Sequence, residues 1–302
     1  MKNILSNNIH YLVFFTFFSL QIFVYQDYGF SWDEPFSRLN GIVSFNYVIE
    51  KLSFNSDYSY NNIPELKNYV DNIYGVFFEL LNIFFEKILN LKERKDIFYT
   101  RHLFNSFIFF LASIYFYFTL NKFYSKNVSL LGFIIFLAHP RIFSQSFYNS
   151  KDIIFLSFFL ISNYYLISFF LKNKIKYLIF LSFFAAITIG TRVMGLLIPL
   201  FFIFFLIMEN LEQKKYKKIY LLLPFILLTF VFTVLFWPFL WENPLNIILA
   251  FKNMSNYEWT GSVFFESKYY SGKFLPWHYL PKIIIITTPI LYVVLFFTGI
   301  YF

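Results

Sequence analysis

The sequence predicts an all-α polytopic membrane protein with about eight transmembrane or re-entrant helices. Of its 302 residues, 58% are hydrophobic and 14% are charged, whereas soluble domains average about 25% charged residues. The mean hydropathy is +0.58. Apolar runs close to the length that crosses a bilayer, about 20 residues, recur along the chain.

The candidate spans follow these apolar runs and lie at 10–26, 102–120, 128–140, 152–171, 177–191, 194–208, 219–238 and 280–300. The first span is not followed by a small-residue cleavage site, which is typical of an uncleaved signal anchor. The fifth and sixth spans are short and are separated only by TRVMG, a pattern that favours an interrupted hairpin. We treat residues 1–302 as one module. Its end inside an apolar run is compatible with the N-terminal part of a longer protein.

Lysine-rich loops predict the orientation of the spans. Three such segments fall on the same side as Lys2, namely 121–127, 172–176 and 209–218. Short loops rich in Lys mark the cytoplasmic side, so the opposite side is external and carries the loops 27–98, 141–150 and 239–279. We expect a bacterial inner membrane protein whose active site faces the periplasm.

The long first external loop is predicted to contain amphipathic helices that lie in the membrane interface. Apolar residues recur at three- and four-residue intervals over 63–89 and again over 33–52, the spacing of one helical face. The remaining positions of the first stretch carry its charges, on Glu65, Lys67, Asp71, Glu79 and Glu86. We therefore expect these charged side chains to face water.

Several functional classes are excluded by composition and motifs. The chain has no cysteine, which removes disulfides, thiolate nucleophiles and Cys-ligated metals. It also lacks a Walker A loop, a dinucleotide fingerprint, an HExxH motif and a nucleophile elbow. The net charge of +8 collects in the cytoplasmic loops, so we expect membrane lipids rather than nucleic acid as its partners.

The first candidate site is SWDEP, at residues 31–35, just after the first span. Ser31 and Glu34 have the spacing of a capping box, in which both side chains satisfy backbone N–H groups at a helix start. Capping does not explain Asp33. A carboxylate at the mouth of a membrane cavity is suited to act as a general base.

The second candidate site lies in AHPRIFSQSFYNSKDIIF, at residues 138–155. It brings together His139, Arg141, Lys151 and Asp152. In a structural interpretation, Asn149 or Ser150 caps the fourth span and Asp152 complements the helix dipole, while the cations extend to headgroups. In a functional one, charges at the ends of adjacent spans mark a substrate path, and two cations hold a lipid phosphate.

Two further positions are candidates for binding an anion. Arg192 lies between the short fifth and sixth spans, where a lone Arg is costly unless it meets an anion or cavity water. His278 lies in the last external loop, and a single His is weak evidence for a metal. The tryptophans of that loop suit either an interface belt or stacking on a sugar, namely Trp237, Trp241, Trp259 and Trp277.

Taken in order, these motifs resemble the C-type (GT-C) membrane glycosyltransferases. The resemblance rests on DE after the first span, then HPRIFSQSFYNSKD, GTRVMG and LPWHYLP. The most similar branch contains the protein O-mannosyltransferases and the aminoarabinose transferases that modify lipid A. It implies a polyprenyl-phosphate sugar donor used on the external face of the cell envelope, with a protein, lipid or glycan as acceptor.

The resemblance also implies roles for individual residues. Asp33 corresponds to the catalytic acid of the family and would act as general base in an inverting transfer, with Glu34 orienting Asp33 or the acceptor. Asp152 corresponds to a second acidic position of the family. The remaining candidates would bind substrate, and those that neutralise the donor phosphate are Arg141, Lys151 and Arg192. A divalent metal ion is compatible with such a site, but no residue pattern requires one.

Two alternatives stay open from the sequence. A transporter or lipid flippase would show internal repeats and ionisable residues near the midplane of interrupted helices, and the chain shows no repeat. An inactive, truncated remnant of a transferase would retain the motifs without the reaction.

Overall fold

The computed structural model describes residues 2–54, 59–213, 218–256 and 259–301. The predicted helical architecture is confirmed, since 76% of the structure is helical. The chain divides into two compact units, Met1–Phe251 and Lys252–Phe302. Part of the predicted cytoplasmic segment 209–218 lies outside the described residues.

The first unit contains eleven described α-helices, the last of which continues past its boundary. They are α1 Lys2–Val24, α2 Glu34–Lys51, α3 Phe77–Ile88, α4 Arg94–Leu120, α5 Lys126–Leu137, α6 Pro140–Tyr148, α7 Asp152–Lys172, α8 Ile175–Thr191, α9 Leu197–Gln213, α10 Leu222–Phe236 and α11 Asn246–Ser255. Proline is tolerated in the first turn of a helix. That is where Pro35 and Pro140 stand, in α2 and α6.

Fewer helices than predicted meet the length and apolarity of a membrane span. Four do so within the described residues, at Arg94–Leu120, Asp152–Lys172, Val193–Leu211 and Ile219–Phe236. The number rises to six if each of two bent helix pairs counts as one span. The predicted spans at 10–26 and 177–191 correspond to shorter apolar helices, Asn8–Val24 and Ile175–Thr191. The predicted number of about eight transmembrane or re-entrant helices is therefore not confirmed.

Helix α7 lies at the centre of the first unit, between α4 and α8. At one end, Leu166 packs with Leu181 of α8 and with Phe202 and Phe225 of the next two helices. At the other end, Ile154 packs into a second cluster that includes Phe78 of α3. The loop helix α3 is thus joined to the helices that carry the second candidate site.

The single amphipathic helix predicted over 63–89 is wrong in its extent. Two short 3-10 turns, Leu66–Asn68 and Val70–Ile73, precede α3. The chain breaks at Gly75, whose N–H donates to the Gly190 carbonyl oxygen at 2.9 Å. A Cβ on Gly75 would lie 2.7 Å from Gly190 Cα. The helix begins only after Gly75 because the backbone there is bonded to the end of α8.

Two other loop predictions have different outcomes. The helix predicted over 33–52 is confirmed as α2. The predicted loop 141–150 is wrong, because it is largely helical and forms most of α6. Helices α5 and α6 meet at an angle of 64°, with Pro140 at the start of α6. Since Pro cannot continue a helix from the preceding residues, the bend falls there.

Trp237 anchors the end of α10 to the first loop. Its side chain is 1% exposed, and its Nε1–H donates to the Asn72 carbonyl oxygen at 3.1 Å. The expectation that this residue joins an interface belt or stacks on a sugar is therefore wrong. A buried indole needs a partner for its N–H, and the backbone of the 3-10 turn provides it.

The second unit contains a β-hairpin and two helices. Strands β1 Ser262–Phe265 and β2 Lys268–Ser271 pair antiparallel, with Ser262 opposite Ser271. The two central turn residues, Glu266 and Ser267, both have positive φ, as a two-residue hairpin turn of this type requires. Helices α12 Tyr279–Thr287 and α13 Ile290–Tyr301 meet at 108°. The hairpin is the one departure from the all-α prediction within the described residues.

We predict that Gly75→Ala destabilises the first unit by about 1–3 kcal/mol, the usual cost of forcing extra volume into a packed contact. The added methyl group would push the Gly75 backbone away from Gly190. Thermal unfolding of the detergent-solubilised protein measures the effect. Gly190→Ala is the matched control, because its Cβ would meet Gly75 Cα at an ordinary 3.6 Å. Equal losses in both variants would contradict the close-approach argument.

Candidate functional site

The structure brings the two predicted motifs SWDEP and YNSKD together. Ser31 Oγ donates to the carbonyl oxygen of Tyr148 at 3.3 Å, one residue before Asn149. The ring of Tyr28 stacks on that of Phe147, with centroids 4.4 Å apart. Residues 117 positions apart are therefore in direct contact at the end of α6.

Asp33 immediately precedes α2, and its side chain is exposed. Its carbonyl oxygen accepts the Ser37 N–H at 2.9 Å, which fixes the backbone at the helix start. Within the described residues, the Asp33 carboxylate makes no hydrogen bond or ion pair. It is thus a carboxylate on a fixed backbone with free acceptor capacity toward solvent.

The predicted capping box forms only in part. Glu34 Oε2 accepts the Ser31 N–H at 2.6 Å, as expected. The Ser31 hydroxyl, however, bonds to Tyr148 instead of a helix N–H, so the capping-box prediction is wrong for this residue. The second Glu34 oxygen is 3.0 Å from His102 Nε2 of α4, and both side chains are buried. Glu34 therefore links the start of α2 to α4.

Asp152 is held from two sides. Its backbone N–H donates to Asn149 Oδ1 at 2.8 Å, which confirms the predicted cap by Asn149. Asn149 Nδ2 in turn donates to Asp152 Oδ2 at 3.2 Å. The other oxygen, Oδ1, is 2.5 Å from Arg192 Nη2. These contacts set the carboxylate orientation and hold the guanidinium in place.

Arg192 is the single extended residue between α8 and the 3-10 turn Val193–Leu196 that leads into α9. Its side chain is 38% exposed. Its Nε is buried without a hydrogen-bond partner in the described structure. The guanidinium therefore has donors left after pairing with Asp152, and these could bind an anion.

Lys151 lies beside a small polar cavity between α2, α3, α7 and the end of α8. The cavity has a volume of about 30 Å³, room for one or two waters. Its polar lining includes Ser37, Asn40, Glu79, Lys151 and Thr191. Lys151 Nζ is 4.9 Å from the centre of the Tyr74 ring, and in the described chain it has no carboxylate partner. The amine is therefore available to an anion at the cavity mouth.

The other two predicted binding residues are Arg141, on α6, and His278, in the second unit. Arg141 is exposed in the first turn of α6, so this helix, about 13 Å long, separates it from Lys151. His278 is in the second unit, with Nε2 3.5 Å from Glu266 Oε2. A hydrogen bond from Lys282, assisted by His278, holds the pKa of Glu266 below its usual range. The segment between Arg141 and Lys151 is thus largely helical, and the proposed clustering of these cations stays a prediction.

Sequence reasoning missed a buried ion cluster beneath SWDEP, made of Arg38, Glu79, Glu86 and Arg101. Arg101 of α4 pairs with Glu79 and Glu86 of α3. Arg38 of α2 pairs with the same Glu86 at 2.9 Å. The two cations balance the two anions, as buried charges require. We refer to these four residues as the ion cluster.

The ion cluster contradicts the expectation that the charged side chains of α3 face water. Glu79 and Glu86 were expected to face water, yet they are 7% and 2% exposed. Leu81, Phe84 and Ile88 are exposed, whereas Phe78 and Ile83 of the same helix are buried. One signal was available in the sequence: Glu79 and Glu86 stand two turns apart on one helical face, and Arg101 lies in the first turns of a span.

None of the described residues form a group of three or more Asp, Glu or His side chains that could hold a metal ion. Near SWDEP, Glu34 is already bonded to the Ser31 N–H and His102, and Glu79 and Glu86 are paired with cations. The divalent ion considered from the sequence stays a hypothesis.

The comparison with known families supplies independent information about this site. A family model described as dolichyl-phosphate-mannose-protein mannosyltransferase matches residues 101–237. This segment resembles that mannosyltransferase family. The predicted resemblance to C-type transferases is confirmed over these residues. No curated protein and no solved structure matches the chain.

The mannosyltransferase match covers part of the candidate site. It begins at Arg101 of the ion cluster and includes Arg141, Lys151, Asp152 and Arg192. Asp33, Glu34 and His278 lie outside it. Together with the apolar helices, the match supports an integral membrane glycosyltransferase in general terms.

We predict that Arg101→Met costs about 3–5 kcal/mol of stability, because it leaves two buried carboxylates without their shared cation. Thermal unfolding in detergent measures it. Arg38→Met is the matched control. The Arg38 side chain is 25% exposed, so its replacement should cost less stability. Adding Glu79→Gln and Glu86→Gln to Arg101→Met should recover part of the loss. A smaller effect at Arg101 than at Arg38 would contradict this role of the ion cluster.

Proposed function

We propose that the protein transfers a sugar from a polyprenyl-phosphate donor to an acceptor on the external, periplasmic face of a bacterial inner membrane. Asp33 takes the proton from the acceptor hydroxyl or amine as that group attacks the anomeric carbon. The bond between this carbon and the phosphate oxygen breaks, and polyprenyl phosphate leaves. Attack opposite the leaving group inverts the configuration.

One observation carries this proposal: the hydrogen bond from Ser31 to Tyr148. It places the segment with the free carboxylate of Asp33 beside the segment with Lys151 and Asp152. A general base and phosphate-binding cations must share one site for this reaction, because the base acts on the acceptor while the cations act on the leaving group.

Arg192 and Lys151 are the proposed phosphate ligands. Arg192 is held by Asp152 at 2.5 Å and keeps unused donors. Lys151 has no anionic partner among the residues described. Fixed cations stabilise negative charge as it develops on a leaving phosphate, and a cation that is already positioned costs little reorganisation. Arg141 and His278 stay candidate substrate ligands.

Glu34 is proposed to position Asp33 rather than to touch substrate. Its two oxygens are occupied by Ser31 N and His102 Nε2, and it is buried. It therefore ties Ser31, two residues before Asp33, and α4 to the first residue of α2. The acceptor is a protein, lipid or glycan, and the sugar transferred to it is a hexose or pentose.

One observation favours a transporter or lipid flippase as the alternative. Arg101 and His102 are buried within a candidate span, where ionisable residues often line transport paths. The carboxylates that they contact come from α2 and α3, which are not candidate spans. The charges therefore join loop helices to a span, an arrangement that suits an external site. Transport of labelled lipid without sugar transfer would favour the alternative.

We predict that Asp33→Asn lowers sugar transfer by roughly 100- to 10 000-fold, the usual contribution of a general base. Asp33 is exposed, so folding should be unchanged. Membranes containing the full chain would receive a radiolabelled polyprenyl-phosphate hexose, and transfer to acceptor would be counted. Glu65→Gln, an exposed carboxylate of the same loop, is the control. Full transfer by Asp33→Asn would overturn its role, and no transfer by the unaltered protein would favour the remnant.

We predict that Arg192→Ala lowers transfer by about 100-fold or more while changing stability by less than about 1 kcal/mol. The Arg192–Asp152 pair is largely exposed, and such pairs contribute about 0–1 kcal/mol. Parallel assays of transfer and thermal unfolding measure both. Asp152→Asn should retain more activity than Arg192→Ala, because the cation remains. A stability loss matching the activity loss would indicate a purely structural pair.

A further inference from the structure

A second, larger cavity lies on another side of the SWDEP segment. It has a volume of about 510 Å³ and lies between residues 26–30 and the start of α4. Its charged lining is Asp27, Arg94 and Lys95, with His102 beneath. The cations occupy the first turn of α4, a helix of 27 residues, where N–H groups and the helix dipole also favour an anion.

The two cations of this cavity rest on aromatic rings. The Arg94 guanidinium carbon is 4.8 Å from the centre of the Phe30 ring, and Lys95 Nζ is 5.4 Å from that of Tyr99. Within the described ranges neither makes an ion pair with a carboxylate. Asp27 is the one acid in the lining, so the cavity carries an excess of positive charge.

A buried imidazole provides an independent sign of a ligand. His102 is 1% exposed, and its Nδ1 has no hydrogen-bond partner among the described atoms. Its Nε2 bonds to the Glu34 carboxylate. Because a carboxylate only accepts, Nε2 carries the hydrogen, and Nδ1 is left for a hydroxyl group, which can both donate and accept.

An apolar groove continues from this cavity between α1 and α4. Its volume is about 360 Å³, and it is lined by Phe18, Gln21, Ile22, Tyr25, Leu103 and Phe107, among others. The ring of Tyr25 in the groove and that of Tyr99 in the cavity have centroids 6.1 Å apart, so the two spaces are neighbours. A cationic cavity above an apolar groove has the amphipathic pattern of a lipid.

Gln21 is a buried amide in the lining of the groove. It is 2% exposed, and neither its Nε2 nor its Oε1 has a partner among the residues described. A buried amide without hydrogen bonds costs free energy. An ester carbonyl, located between a headgroup and its acyl chains, would accept from this amide.

We propose that this cavity and groove bind an anionic diacyl phospholipid whose headgroup carries a hydroxyl, as phosphatidylglycerol does. The phosphate lies by Arg94 and Lys95, the headgroup hydroxyl by His102, an ester carbonyl by Gln21, and an acyl chain along Phe18 and Leu103. Polyprenyl phosphate shares the phosphate but has no ester for Gln21. The site is separate from Lys151 and Arg192 and does not depend on the proposed transfer reaction.

The test is lipid retention by the full chain. The protein would be reconstituted in nanodiscs of equimolar phosphatidylglycerol and phosphatidylcholine, extracted in mild detergent, and analysed by native mass spectrometry. We expect phosphatidylglycerol to be retained preferentially. Arg94→Gln with Lys95→Gln should lower the ratio of the two retained lipids by about 25-fold, since each interfacial cation contributes about fivefold.

Lys122→Gln with Lys176→Gln is the matched control, because these cations also lie over rings, those of Tyr164 and Tyr177. It should leave the ratio unchanged. Gly29→Leu is a second variant that changes no charge. Gly29 lines the cavity, and in the described structure a Cβ there meets nothing within 4 Å, so the larger side chain should exclude the headgroup.

Two outcomes would overturn the phospholipid assignment. One is equal retention by the unaltered protein, the double Gln variant and Gly29→Leu. The other is a pair of results: added polyprenyl phosphate displaces phosphatidylglycerol, and the variant Gln21→Leu retains as much phosphatidylglycerol as the unaltered protein. If the double Gln variant loses its helical circular dichroism, it has not folded, and lipid retention by Gly29→Leu alone decides the phospholipid assignment. Loss of sugar transfer has no bearing on either readout.

Discussion

The position of the candidate site depends on the ion cluster of Arg38, Glu79, Glu86 and Arg101. Within a bilayer, apolar helix faces gain little by meeting one another, because lipid tails are equally apolar. Charged groups differ, since each must find its partner or bear a large desolvation cost. Arg101 of α4 therefore determines where α3 lies, and α3 in turn holds α2 through the pair between Glu86 and Arg38.

The same cluster connects to the start of α2. His102 follows Arg101 in α4 and contacts Glu34, the residue after Asp33. The fixed end of α2 thus carries an exposed carboxylate next to a buried one. The two adjacent carboxylates differ in their contacts. Both oxygens of the buried Glu34 make hydrogen bonds, whereas those of the exposed Asp33 make none within the described residues. Neighbouring helical residues point in different directions, which makes this difference geometrically natural.

Much of this arrangement was predictable, and the failures share a cause. Apolar runs and lysine-rich loops depend on local composition, so they predicted the helical fold and the segments that carry Asp33, Lys151 and Asp152. The orientation of α3 depends on a partner in another helix. An amphipathic pattern shows that a helix has two faces but not which one meets protein. In water the charged face points outward, whereas Glu79 and Glu86 meet Arg101 and point inward. Gly75 is a second example, since its contact with Gly190 joins distant segments and leaves no local periodicity.

The contacts of Asp152 show that a residue in a capped helix turn can also hold a neighbouring cation. Asn149 bonds both the backbone N–H and a carboxylate oxygen of Asp152, and the other oxygen holds Arg192. An exposed ion pair contributes little stability, so its main physical consequence is to restrict the guanidinium to one place. That restriction would lower the entropy lost in the proposed anion binding, because the long side chain is already ordered. The helix cap at Asn149, which the sequence suggests is purely structural, thus also fixes the carboxylate that positions Arg192.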